Sequence, residues 1–137
     1  MKQLGLAQED INTDDDREER ALRMWMNSTG IDRYIHNLYL DCRDGISFLQ
    51  LIDSIEPGIV DWKHRVELKP TNKFKMISNN NYLLDISKVD PFKFSLVGIG
   101  GSDLFDGVKK LVLSEVWQLM RFHIIKFLQQ VYLYITL

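Results

Sequence analysis

From Asp106 to His123, apolar residues recur four apart at Val108, Val112, Val116 and Met120, while Leu111, Leu113, Trp117 and Leu119 widen the arc beyond a simple stripe. Only Lys110, Ser114, Gln118 and Arg121 form a polar strip. The spacing predicts one helix over 106–123, opened by Asp106-Gly107 and buried on most sides. Covering such a helix takes several others, so the pattern predicts a compact all-α domain with a buried long C-terminal helix, not an extended coiled coil.

Other segments repeat the helical period. Ala21, Leu22, Trp25 and Met26 define the buried face of a first helix, with Arg20, Arg23 and Asn27 on another face and Gly30 as its stop. Asp15 and Glu18 stand at capping-box spacing before it. Residues 31–41 read as a short helix or structured loop. Asp44-Gly45 opens a helix whose Phe48, Leu51, Ile52 and Ile55 share a face, and Pro57-Gly58 closes it. Asp61-Trp62-Lys63-His64 predicts a helical turn anchored by its indole. A further helix is capped by Thr71 or Asn72 and packs Phe74, Ile77 and Leu84. The triplet Asn79-Asn80-Asn81 is unexpected inside it, because Asn is a poor helix former. Asp90-Pro91 ends that helix, and Phe92–Val97 reads as extended before the glycine-rich Gly98-Ile99-Gly100-Gly101. Residues 124–137 stay apolar to the end, either lengthening the last helix or folding away from it.

These elements divide the chain into a flexible acidic leader or linker over 1–13, one domain over 14–123 and an apolar C-terminal extension over 124–137. A length of 137 residues with 45% hydrophobic content suffices for a single core. The net charge of -2, without a concentrated basic run, argues against a nucleic-acid binder. Cys42 is the one cysteine, so an internal disulfide is impossible. With no signal-like apolar run at the N-terminus and no uninterrupted apolar stretch of spanning length, the reading is a cytoplasmic protein without a membrane segment.

Chemistry-bearing motifs are weak. Gly98–Ser102 precedes a helix but lacks the Lys-Ser/Thr pair of a phosphate loop and reads as a turn. Asp103 and Asp106 lack the alternating donors and distal Glu of a calcium loop and read as helix caps. His36, His64 and His123 are scattered. Asp41 and Asp44 flank Cys42 and oppose thiolate formation. No enzyme, cofactor or metal site is expected. The two polar strips, Arg20, Arg23 and Asn27 on the first helix and Lys110, Ser114, Gln118 and Arg121 on the last, read either as solvated faces or as a flat docking surface for a protein partner.

Several short runs carry a resemblance. Arg17-Glu18-Glu19-Arg20-Ala21 with Trp25-Met26-Asn27-Ser28, Asn37-Leu38-Tyr39 with Arg43-Asp44-Gly45, and Asp61-Trp62-Lys63-His64 are followed by Lys73-Phe74-Lys75 and Asn79, Asn81 and Tyr82. Phe94–Gly101 and Trp117-Gln118-Leu119-Met120-Arg121 complete the series. Together they resemble a calponin-homology domain of the fimbrin/plastin actin-bundling family, most of all the first domain of its second actin-binding pair. The resemblance implies a calponin-homology fold with four main helices, a central C-terminal helix, filamentous actin as partner and a cytoskeletal location. It also implies actin contacts on the first and last helices, here Arg20, Arg23, Asn27, Lys109, Lys110, Ser114, Gln118 and Arg121. The alternative is a structural or regulatory domain of the same fold that packs against a neighbouring calponin-homology domain or a second copy through the apolar tail. Arg65–Asn72, Ser78 and Val108-Lys109-Lys110 depart from the family pattern.

Overall fold

In the computed structural model, which describes residues 13–137, all regular structure among the described residues is helical: α1 Thr13–Asn27, α2 Leu38–Asp41, α3 Ile46–Ile55, α4 Trp62–Arg65, α5 Lys73–Lys88, α6 Gly101–Asp106 and α7 Lys109–Thr136. Four of these, α1, α3, α5 and α7, are long, as the hydrophobic pattern requires. The leader expected over 1–13 lies, apart from Thr13, outside the described residues; Asp15, expected to cap α1, stands inside the helix, which starts at Thr13.

Local caps follow the sequence. Asp44 Oδ1 accepts a bond from the Ile46 amide at 3.0 Å while Gly45 turns the chain at φ 81°, so α3 starts where a left-handed residue is needed. Asp61 Oδ1 accepts from the His64 amide and Asn72 Oδ1 from the Lys75 amide, starting α4 and α5. Of residues 31–41, only Leu38–Asp41 is helical, capped by Asn37. Phe92–Val97, read as extended, is instead a turn and irregular loop.

The Asn triplet is what ties this all-helical chain together. Asn79 Oδ1 accepts from the Glu67 amide at 2.8 Å, and its Nδ2 donates to the Glu67 and Asp44 carbonyls at 3.0 and 2.9 Å. Asn80 Nδ2 donates to the Arg43 carbonyl at 2.8 Å, and Asn81 Oδ1 accepts from the Gly101 amide at 2.9 Å. Three consecutive helical residues therefore satisfy backbone groups of three separate loops, which outweighs their poor helix propensity. This close approach also explains two glycines. A Cβ on Gly45 would lie 2.9 Å from Asn79 Cβ, and one on Gly101 would lie 2.4 Å from Asn81 Oδ1 and 2.7 Å from the Ile77 carbonyl.

The long helix begins later than its sequence suggests. Asp106-Gly107 does not open it; Gly107 stands at φ 69° and closes α6, its amide donating toward the Asp103 and Leu104 carbonyls. Val108 then precedes α7, its carbonyl accepting from the Leu111 and Val112 amides. Val112, Leu113, Val116 and Leu119 of α7 enter the core with Leu22 and Met26 of α1, Phe48, Leu49, Leu51 and Ile52 of α3, and Leu83 and Leu84 of α5. Trp117, expected mid-arc, is 49% exposed, and Val108 is exposed as well. Phe74, expected in the core, is 74% exposed: it stands in the first turn of α5, about 15 Å along the helix from Leu84. Ala21 is likewise on the surface of α1.

Residues after His123 lengthen α7 rather than folding away. Lys126 Nζ donates to the Ile55 carbonyl and to Glu56 Oε1, both at 2.7 Å, so α7 closes the C-terminal end of α3 with a cation where free carbonyls collect. Beyond Lys126 the helix runs past the core, and nearly every large apolar side chain on it is exposed.

Candidate functional site

The first polar strip is partly committed to holding the fold. Glu19 Oε2 accepts from Arg23 Nε and from the Leu38 amide, each at 2.9 Å. Asn27 Oδ1 accepts from the Ile35 amide at 2.8 Å and its Nδ2 donates to the Ile35 carbonyl at 2.9 Å. Glu19 and Asn27 therefore fasten α1 to residues 31–38, and Arg23 holds the Glu19 carboxylate in place. Arg20, one turn earlier on the same side by helical register, is exposed. Trp25 points the other way, its ring 5.9 Å from His123 on α7.

The second strip is divided in the same way. Gln118 Oε1 accepts from the Ser95 amide at 3.1 Å, and Nε2 donates to the Ser95 carbonyl at 3.2 Å and to Ser114 Oγ at 3.3 Å. Ser114 and Gln118 thus clamp the Phe92–Val97 loop onto α7. Arg121 is exposed and lines a groove of about 420 Å³ with Phe92, Phe94, Phe122, Lys126 and Glu56. Lys110 is exposed, and Lys109 Nζ lies 5.8 Å from the centre of the Tyr39 ring of α2.

The structure thus does not merge the two strips into one row. The α1 strip borders residues 31–38, while the middle of the α7 strip borders the loop that precedes α6. Lys109 links them, because it reaches toward Tyr39 in the short helix next to Leu38. Arg43, part of the Arg43-Asp44-Gly45 run but not among the expected contact residues, joins this region with its guanidinium 4.2 Å from the centre of the Phe105 ring of α6. Its cue in the sequence was a cation beside a turn, which carries no information about a ring 62 positions away.

Titratable groups off this surface are built into the core. Glu115 is fully buried, and burial pushes its carboxyl up to about 7, with Ser87 opposing the shift. Ser87 Oγ lies 2.7 Å from Glu115 Oε2 and 2.8 Å from the Leu83 carbonyl. One hydroxyl proton serves one acceptor, so both contacts are satisfied when Ser87 donates to Leu83 and a protonated Glu115 donates to Ser87. Burial also pushes the Cys42 thiol up, which keeps it protonated. At Gly98–Ser102, Asp103 Oδ2 accepts from the Gly100 amide at 2.9 Å, so a carboxylate already occupies the start of α6. Among the described residues, no three His, Cys, Asp or Glu side chains are grouped to hold a metal ion, and no helix is long and apolar enough to cross a membrane.

The comparisons agree with this architecture. Residues 16–125 match the family model described as the calponin homology (CH) domain. The chain is 45% identical over 120 residues to fimbrin-2 of Arabidopsis thaliana, covering 86% of this chain and 18% of that protein. It is 47% identical over 109 residues to human plastin-3, covering 77% of this chain and 17% of that protein. The crystal structure of the actin-crosslinking core of Schizosaccharomyces pombe fimbrin superposes with a TM-score of 0.78 at 40% identity, covering 84% of this chain and 25% of that one. The chain therefore spans under a fifth of the length of the curated relatives it matches.

Proposed function

The chain belongs to the calponin homology domain family, and we propose that it is an actin-filament-binding module of a fimbrin- or plastin-like cross-linker. The observation that carries this reading is the 40% identity and TM-score of 0.78 to the actin-crosslinking core of a fimbrin. The module works by docking, without a catalytic step, and its location is the actin cytoskeleton.

In this reading the filament meets the exposed cations that do not hold the fold. Arg20 on α1, Arg43 beside α2, Lys109 and Lys110 at the start of α7, and Arg121 further along it supply long-range attraction and orientation. Arg23, Asn27, Ser114 and Gln118 serve as positioning residues: they fix α1 and the loops flanking α7, which sets the shape of the surface. A single module offers one filament site, and cross-linking needs two sites held together. Co-sedimentation with filamentous actin tests the reading: the folded chain pellets with filaments at low salt, and a folded chain that stays in the supernatant contradicts it.

A further inference from the structure

The outward side of α7 carries a second pattern that meets the proposed filament surface only at Arg121. Trp117, Ile124, Leu128, Val131 and Ile135 follow the alternating four-three spacing of a heptad seam, with Arg121 at the one remaining seam position. Trp117 is 49% exposed, Leu128 56% and Ile135 73%. The seam is about 27 Å long at 1.5 Å per residue. From Ile124 onward the one charged side chain is Lys126, which is already bonded to Glu56 and the Ile55 carbonyl.

Area sets what can cover this face. Of the large apolar side chains exposed after His123, Ile124, Ile125, Leu128, Tyr132 and Ile135 lie on or beside the seam by helical register, while Phe127, Leu133, Tyr134 and Leu137 lie off it. At on the order of 100 Å² each, the first five present roughly 500 Å², so a pair of copies buries about 1,000 Å², the area a specific interface has to clear.

We propose that two copies of the chain pair through this seam, α7 against α7, antiparallel about a two-fold axis near Leu128. A heptad seam fits a facing helix of the same spacing, and a two-fold axis sets this apolar face against itself with no buried charge left unpaired. Direction follows from Arg121. A parallel pair brings two Arg121 guanidiniums together and the two globular domains side by side, whereas an antiparallel pair with its axis between Leu128 and Val131 sets Leu128 against Val131 and Ile124 against Ile135, and leaves Arg121 one layer further out at the edge of the seam, where its head reaches solvent.

Sedimentation equilibrium of the full chain from about 1 to 100 µM tests this. The expected mass is twice the 16.1 kDa of one chain. A double variant, Leu128→Glu with Ile135→Glu, stays at the single-chain mass with unchanged helical circular dichroism, since both positions are exposed in one copy, and its Tm does not depend on concentration. Under oxidation Leu128→Cys forms a covalent dimer. Arg121→Cys does not, because its mate is roughly 25 Å away along the antiparallel helix, beyond disulfide reach. Four results overturn the proposal: a monomer throughout the range, a dimer that survives the double substitution, polydisperse aggregation in place of a dimer, or cross-linking of Arg121→Cys as readily as Leu128→Cys.

Discussion

Asn81 Oδ1 accepts a hydrogen bond from the Gly101 amide at 2.9 Å, and that approach is so close that a Cβ on Gly101 would lie 2.4 Å from the same oxygen. Asn81 is on α5 and Gly101 opens α6, so this contact sets how the α6–α7 corner sits on the domain. The Ile77 carbonyl would be only 2.7 Å from the added carbon, and backbone cannot swing aside as a flexible side-chain tip can. Gly101→Ala is expected to cost about 1–3 kcal/mol. Chemical denaturation checks this, and a midpoint within error of wild type would show that α6 shifts without penalty.

Asn79 presents a different dependence, on hydrogen bonds rather than space. Its amide serves the Glu67 amide, the Glu67 carbonyl and the Asp44 carbonyl while fully buried. Asn79→Ala leaves those groups to find water or go unpaired, at an expected cost of about 2–4 kcal/mol. Asn79→Asp is expected to be worse at neutral pH, since it replaces two donations with a buried charge facing carbonyl oxygens. Thermal unfolding followed by circular dichroism ranks the three proteins.

How much of this was legible beforehand depends on the distance over which each contact acts. The four long helices follow from local periodicity, as does the α3 core face of Phe48, Leu51, Ile52 and Ile55, whereas the periodicity also put Ala21, Phe74 and Trp117 on faces that the fold leaves exposed. The Asn triplet could be recognised as out of place, but its partners lie 12 to 37 positions away and no local pattern names them. Asp-Gly illustrates the same limit at short range. It precedes α3 at Asp44-Gly45 and ends α6 at Asp106-Gly107, because a left-handed glycine suits either side of a helix. Within the candidate surface, polarity identified Asn27 and Gln118 but could not separate side chains that clamp loops from those free to meet a partner.

Glu115 makes stability depend on pH in a direction opposite to that of a salt-bridged carboxylate. Its folded-state value is pushed up to about 7 from 4.5, so the native chain holds a proton that the unfolded chain releases between those limits. Its contribution is fully present below the unfolded value, shrinks as pH rises through the folded one, and is then constant. The loss is on the order of 3 kcal/mol. Glu115→Gln, whose amide donates to Ser87 as the protonated acid does, is expected to match wild type near pH 4.5 and to exceed it above pH 7. Denaturation midpoints across that range check the prediction, and parallel curves for the two proteins would refute a buried neutral acid.

The most direct test of filament binding is the affinity from co-sedimentation with filamentous actin at about 50 and 200 mM salt, for wild type and for Arg20→Glu combined with Lys110→Glu and Arg121→Glu. All three positions are exposed and none holds a loop, so the variant is expected to keep the wild-type Tm. The account predicts that wild type pellets at low salt and binds more weakly at high salt, and that the variant loses at least tenfold in affinity at low salt. A folded wild-type chain that fails to pellet at low salt, or a variant that binds as wild type does, would contradict it.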